Sequence, residues 1–395
     1  MSRLYRGLKP SLDSIMYLNS VFLKDPNPQK LNLIIGSYRT PAGKPYVFKS
    51  VEKALEIIHG KPKNMEYIPI TGDQEYLDAS KKLYFEKESK FDNVQSLSGT
   101  GALRLAGDLI AKTLVPNTIY LPNPTWENHG KVFSSAGLNI GSYDYIDKHG
   151  DFSSFDLEKS IKTSIPSNNI ILLHACAHNP TGYDLKSDEW MSIVEICMKK
   201  NLFIVVDMAY LGFASGDLDK DLTLLKILDK VDYPALVCTS YAKNFGLYSK
   251  RVGNLFFRGE CSEHTINMKD TLRQIIRTSY SSPPADGSNI VKTILTNTEL
   301  VNLWKSELKD INTHYTLIRK ALRSELENTL NKDFSNITKQ TGMFYFGQKE
   351  ISTNVVHKMR ENGIYFLDNA RISLAGLNSD NIPQFAKQFR DAATN

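Results

Sequence analysis

The stretch Ser240-Tyr-Ala-Lys-Asn-Phe-Gly-Leu-Tyr-Ser-Lys-Arg251 directly follows the apolar run Ala235-Leu-Val-Cys238. The run reads as a buried strand. Lys243 then falls just beyond its end, with Ser240 three residues before it and Arg251 eight after. An amine at the mouth of a buried strand is a candidate nucleophile, because removal from water disfavours its charged form. On this reading Lys243 is a Schiff-base lysine; the plain alternative is a solvated loop lysine, the state of most lysines. The choice turns on whether neighbouring stretches supply a phosphate cradle, a carboxylate partner and arginines for a substrate.

Working outward, Thr118 to Leu121, Ile170 to His174 and Leu202 to Val206 are further apolar runs, separated by helical patterns such as Ser187 to Lys200. In that segment Trp190, Ile193, Val194 and Cys197 share one helical face. Alternating strands and helices predict an α/β fold whose largely parallel sheet is covered on both faces. Each run ends in polar residues: Asn123-Pro-Thr-Trp126, Ala177-His-Asn-Pro-Thr-Gly182, Asp207-Met-Ala-Tyr210, and Lys243 itself. Ligands of open α/β sheets bind beyond the carboxyl ends of the strands, so these stretches are predicted to converge. Further upstream, Val94-Gln-Ser-Leu-Ser-Gly-Thr-Gly-Ala-Leu-Arg104 passes from an apolar run through small residues into a helix with Leu103, Ala106, Ile110 and Leu114 in register. Free N–H groups and the positive dipole end there suit a phosphate. Ser98 and Thr100 read equally as simple caps.

The flanks are less informative. Leu31-Asn-Leu-Ile-Ile35 reads as a short strand ending in Gly36, and Gly43-Lys-Pro45 punctuates the loop after it. A helix is predicted from Ser50, as N-cap, to Gly60, and Tyr67 to Gly72 as an extended turn. Arg277 to Gly287 reads as a turn-rich insertion. A long helical pattern through Leu308, Ile311, Tyr315, Ile318, Leu322 and Leu326 follows, then a run at Gly342 to Phe346, a helix near Asn354 to Asn362, and Ala370 to Gly376. A second domain built from both ends of the chain is expected.

The 395 residues, 41% hydrophobic and 23% charged, suffice for a large core and two domains. A formal charge of +5 is too small and dispersed for a polyanion groove, so nucleic acid is not indicated. No apolar run approaches the ~18 residues of a membrane span. Cys176, Cys197, Cys238 and Cys261 are widely spaced and read as free thiols of a reducing compartment. Residues 1–9 carry three cations and no secretory apolar core, reading as a solvated arm or a very short transit peptide.

Taken together and in order, Ser98-Gly-Thr-Gly-Ala-Leu, Asn123-Pro-Thr-Trp, His174-Ala-Cys-Ala-His-Asn-Pro-Thr-Gly182, Asp207-x-x-Tyr210, Ser240-Tyr-Ala-Lys-Asn and Arg251 resemble the aspartate aminotransferase family of fold-type I pyridoxal phosphate enzymes. The resemblance runs from about Leu31 to Gly376. It implies a mostly parallel seven-stranded sheet in a large domain over 46–310, a smaller α+β domain over 311–395, and an arm with part of the small domain over 1–45. It implies that Lys243 carries pyridoxal 5'-phosphate and shuttles a proton, and that Asp207 pairs with the pyridine nitrogen. Tyr210 and Asn179 would bond its phenolic oxygen, and Trp126 would stack on its ring. Ser98, Gly99, Thr100, Ser240 and Arg251 would hold the phosphate, with Tyr67 reaching in from the neighbouring subunit of a homodimer. Gly36, Trp126, Asn179 and Arg371 would meet the substrate, Arg371 clamping its α-carboxylate. Arg277 would cross the dimer to a distal carboxylate.

His129 resembles the histidine behind the aspartate. His174 and His178 invite a metal reading, but no ligand set accompanies them and no metal is expected. Two departures stand out: Ala242, where some relatives have a second phosphate-binding serine, and Ser282, where many have asparagine. The implied substrates are L-aspartate and 2-oxoglutarate, with oxaloacetate and L-glutamate as products, or a broader range that includes aromatic amino acids. The implied compartment is the cytoplasm, or alternatively the mitochondrial matrix.

Overall fold

The computed structural model describes residues 13–40, 44–60, 64–113 and 117–394. The predicted loop glycine Gly43, the helix position Leu114 and the N-terminal cations lie outside these residues. In chain order the strands are β1 (Leu31–Asn32), β2 (Asp92–Ser96), β3 (Thr118–Asn123), β4 (Asn139–Asp144), β5 (Ile170–His174), β6 (Phe203–Met208), β7 (Ala235–Thr239), β8 (Gly253–Arg258), β9 (Phe344–Phe346), β10 (Ile364–Tyr365) and β11 (Arg371–Ser373). Seven of them form one sheet in the order β2-β8-β7-β6-β5-β3-β4. All its pairings are parallel except those of β8 with β2 and β7.

Why these runs form a doubly covered sheet is visible in their alternation. Val205, Leu236 and Leu172 point into one apolar cluster, with Leu103, Ala106 and Ile110 of the helix Ser98–Thr113. Their neighbours Ile204, Val206, Val237 and Ile171 point into the opposite cluster, with Trp190, Ile193 and Val194 of the helix Ser187–Lys199. A strand buried on both faces reads as a continuous apolar run. Each fully buried Val, Leu or Ile contributes about 1.5–3 kcal/mol.

The order of the sheet places the site. The chain leaves β3 for β4 at one edge, then crosses back so that β5 lies on the other side of β3. That reversal opens a crevice at the carboxyl ends, where the loops after β3, β5, β6 and β7 gather. The register sets His174, Asp207 and Cys238 side by side on β5, β6 and β7.

Both chain ends meet in two small sheets. β1 pairs in parallel with β10, and β9 pairs antiparallel with β11, aligning Arg371 with Phe346. The helix Thr298–Leu330 carries the expected buried stripe, from Leu308 to Leu326.

Two local expectations are corrected. Ser50 is not a cap: the helix spans Lys49–His59, and Phe48 before it makes no side-chain cap bond. The buried carboxylate of Glu307 serves instead, accepting from Lys49 N at 2.6 Å, Ser50 N at 3.2 Å and Ser50 Oγ at 2.7 Å. Arg277 is not in a turn-rich insertion but in the last turn of the helix Ser262–Ser279. The turn begins only at Tyr280, where left-handed Ser281 (φ 69°) follows the helix end.

Candidate active site

A cavity of about 280 Å³ opens at the carboxyl ends of the strands. Its wall includes Gly36, Ser98, Gly99, Thr100, Trp126, Asn179, Asp207, Tyr210, Ser240, Lys243 and Arg251. Eleven of the predicted site residues, drawn from six separate stretches, thus face one space.

One end of the cavity is built for an anion. The helix Ser98–Thr113 begins here, and first-turn N–H groups have no acceptor within their own helix. Ser98 stands in the left-handed region (φ 63°), which turns the chain from strand into helix and brings its Oγ to 2.8 Å from Ser240 Oγ. A Cβ on Gly99 would lie 3.3 Å from Ser240 Cβ, so the approach of the two loops leaves little room there. Ser240 Oγ also accepts from the backbone N–H of Ala242 at 3.1 Å, and the methyl of Ala242 brings no second hydroxyl. Arg251, again left-handed (φ 50°), donates to Tyr248 O and completes this end.

The floor is a carboxylate on a chain of hydrogen bonds. His129 Nε2 lies 3.0 Å from Asp207 Oδ2, its Nδ1 lies 2.8 Å from Thr125 Oγ1, and Thr125 Oγ1 lies 3.1 Å from His174 Nε2. Asp207 Oδ1 is buried and has no partner among the described residues. Burial pushes the Asp207 carboxyl up, but the hydrogen bond and charge of His129, with His174 and Lys243, outweigh it and hold the group below its usual range. One buried lone pair is therefore presented to the cavity by an ionised acid. His129, His174 and Asp207 bring ligand atoms within 4.8 Å of one another. Each of those ring nitrogens is already engaged, since His174 Nδ1 accepts from Asn179 N at 3.4 Å. His178 instead stacks between His174 and Tyr145, with ring centroids 4.2 and 3.7 Å away.

Lys243 stands four residues beyond β7, its Nζ 4.7 Å from the centroid of the Tyr210 ring. Burial lowers its pKa to about 8; Asp207 opposes the shift, and Arg251 and Arg371 add to it. Tyr210 Oη lies 3.4 Å from Asn179 Nδ2. Behind Asn179, buried Arg371 donates to Asn179 Oδ1 at 3.2 Å and Ile34 O at 3.1 Å, over the Phe344 ring at 4.1 Å. Its Nε has no partner among the described residues. Gly36 is required here: a Cβ would lie 2.5 Å from the Phe344 ring.

Three predicted residues are not in the cavity wall: Arg371, which stands behind Asn179, and Tyr67 and Arg277, which lie away from it. Tyr67 is 90% exposed, and Arg277 is exposed with its guanidinium donating to Ser281 Oγ. Conversely, Tyr248 lines the wall and accepts from Tyr38 N at 2.9 Å, a role unassigned from the sequence although it lies within the opening stretch. Phe344 was likewise missed, since an aromatic in a short apolar run carries no sign that an arginine will rest on it.

The family model for aminotransferases of class I and II matches residues 28–389. The chain belongs to this family. It is 39% identical over 383 residues to the mitochondrial aspartate aminotransferase of Dictyostelium discoideum, covering 95% of this chain and 89% of that protein. Among solved structures, aspartate aminotransferase from Saccharomyces cerevisiae cytoplasm superposes with a TM-score of 0.94 at 32% identity, covering 99% of this chain and 98% of that one. An aromatic amino acid aminotransferase from Burkholderia cenocepacia superposes with a TM-score of 0.92 at 30% identity, covering 99% of each chain.

The aminotransferase uses pyridoxal 5'-phosphate, and its residues fit that group. The unpartnered Asp207 Oδ1 suits a protonated ring nitrogen, the helix start with Ser240 and Arg251 suits a phosphate, and Lys243 is an amine of lowered basicity. Its substrates are amino and keto acids. Among the described residues no helix is long and apolar enough to cross a membrane.

Proposed function

We propose that the enzyme is an aspartate aminotransferase, moving an amino group reversibly between L-aspartate and 2-oxoglutarate to give oxaloacetate and L-glutamate by a ping-pong route. The observation that carries this reading is the near full-length likeness to aspartate aminotransferases, with the lysine, aspartate and phosphate-end residues facing one cavity.

In this reading Ser98, Gly99, Thr100, Ser240 and Arg251 would hold the phosphate, and Trp126 would cover one ring face. Asn179 and Tyr210 would donate to the ring oxygen, and Asp207 Oδ1 would accept from the ring nitrogen, its other oxygen being held by His129. When bound, the cofactor would supply an electrophilic carbon for the substrate amine and a ring able to accept an electron pair from Cα. Lys243 Nζ moves the proton at the substrate Cα, a task that its lowered pKa suits near neutral pH. Arg371 and Asn179 receive the α-carboxylate. A planar guanidinium holds both of its oxygens in a fixed plane, which a lysine cannot do.

The distal carboxylate is met by Arg277 of a second copy, which also lends Tyr67 to the phosphate. The exposure of both side chains supports this homodimer with shared sites. Residues 46–310 form the large domain, and 311–395 with part of 1–45 the small one. The proposed compartment is the cytoplasm; the mitochondrial matrix is the alternative, and cell fractionation separates them.

A second reading, a range that includes aromatic amino acids, is favoured by the likeness to the Burkholderia enzyme. Purified protein with 2-oxoglutarate separates them. A kcat/KM for aspartate at least about a hundredfold above that for phenylalanine is expected, since a distal arginine left unpaired is costly; equal values would overturn the dicarboxylate assignment.

A further inference from the structure

Asp184 and Thr341 join the loop that carries Asn179 to the segment that leads into β9. Asp184 follows the loop that carries Asn179, and its carboxylate holds that loop from below. Oδ2 accepts from Ala177 N at 3.0 Å and Oδ1 from His178 N at 3.2 Å. The same Oδ2 accepts from Thr341 Oγ1 at 2.7 Å. Thr341 is bound to the loop a second time, its backbone N–H donating to Gly182 O at 2.6 Å. The seam is tight: a Cβ on Gly342 would lie 2.7 Å from Ala177 Cβ, and one on Gly182 would lie 2.7 Å from Thr341 O.

Three residues beyond Thr341, Phe344 opens β9, which pairs with β11 and carries the ring under Arg371. On its far side the Thr341 segment is held by Arg319, whose Nη2 donates to the carbonyls of Thr341, Gly342 and Phe344. The segment is thus fixed between a buried cation and the Asn179 loop. The strap closes a ring: Asp184 to Thr341, along β9 and β11 to Arg371, across 3.2 Å to Asn179, and back along the loop to Asp184.

We propose that Asp184 and Thr341 are positioning residues that set the spacing of Asn179 and Arg371 and hence affinity for the substrate carboxylate. This rests on the reading that Asn179 and Arg371 receive the α-carboxylate. Among the described residues Thr341 Oγ1 is the one side-chain donor that the Asp184 carboxylate draws from across the seam. Removing it leaves the Thr341 N–H bond to Gly182 O and the Arg319 bonds in place but loosens the seam between strand pair and loop, without touching cofactor or substrate.

The test is Thr341→Val, close in shape but without the donor, beside Thr341→Ser, which restores it, and Asp184→Asn. Thr341→Val is expected to raise KM for aspartate and for 2-oxoglutarate by about tenfold, in line with one lost charge-assisted hydrogen bond, and to change kcat by less than about threefold. Retention of pyridoxal phosphate and the pH titration of its visible band should be unchanged. Thr341→Ser should restore both KM values to within about twofold of the parent. Should Thr341→Val not fold, Asp184→Asn carries the same expectation for KM alone, since it also alters the acceptors of Ala177 N and His178 N.

Arg371→Lys is measured in parallel. In the Thr341→Val/Arg371→Lys double variant KM should be no higher than in Arg371→Lys alone, because both changes act through one contact. A lowered melting temperature with unaltered KM, failure of serine to rescue, or multiplicative effects in the double variant would overturn the strap. An unaltered KM in Arg371→Lys would instead overturn the carboxylate reading on which it rests.

Discussion

At the scale of single residues, Lys243 shows how burial becomes chemistry. An amine attacks a carbonyl only in its neutral form, and with a pKa lowered to about 8 roughly one Lys243 in ten is neutral at pH 7. An ordinary lysine would be neutral in well under about one molecule in a thousand. The cofactor-free protein should therefore capture pyridoxal phosphate at a rate that climbs about tenfold per pH unit below pH 8 and levels off above it. Stopped-flow recording of the visible band checks this. A rate still climbing toward pH 10 would mean that burial does not depress this amine, and Lys243→Ala should give no such band. Asp207 complements the lysine: it stays ionised because His129 occupies Oδ2, while Oδ1 remains open to the cavity. The identity of both residues was legible in their stretches. Which oxygen is spoken for depends on a histidine 78 positions away.

At the scale of elements, the strands were the most legible part. Apolar runs of four to six residues bounded by turn formers leave little choice for a sheet covered on both faces. Caps were less so. Ser50 has the chemistry of an N-cap, yet the acceptor at that helix start is Glu307, 257 positions away, and no local pattern announces it. Glu307→Gln keeps the shape but loses the charge that binds three donors at the start of Lys49–His59. Its stability is expected to fall by about 1–3 kcal/mol, read as a lowered melting temperature with kcat unchanged, since no atom of Glu307 lines the cavity. The nearby indole of Trp304 donates to Asn244 O at 2.6 Å, so the same long helix also steadies the turn that carries Lys243. Arg277 was misplaced for a related reason. The turn formers after Tyr280 dominate the local signal, while Leu272, Ile275 and Ile276, the buried face that extends the helix to Ser279, lie just before it.

At the scale of the whole molecule, the exposure of Tyr67 and Arg277 has a direct consequence. If a second copy supplies them, Lys243→Ala and Arg277→Ala subunits complement each other. In a mixed dimer one site receives an intact lysine from one chain and an intact arginine from the other. Subunit exchange in an equal mixture should restore about a quarter of the parent activity with aspartate, because half of the dimers are mixed and each has one working site of two. Activity that stays at the level of the separate variants would place Arg277 in its own chain's site and overturn the shared-site arrangement.

The amino-acid sequence by itself determined the chemical groups and their order: Lys243, Asp207, Tyr210, Asn179, Arg251 and Arg371 are what they are in any conformation. Their attachment to apolar runs also determined that they would gather at one edge of a sheet, because buried strands must pair and their polar ends must meet solvent. The tertiary structure alone decided which of those groups are altered by the gathering. The lowered basicity of Lys243, the unpaired oxygen of Asp207 and the seating of Arg371 between Asn179 and Phe344 are sums over neighbours far apart in the chain. Desolvation and hydrogen-bond geometry depend on distance in space, which no local spacing of residues encodes.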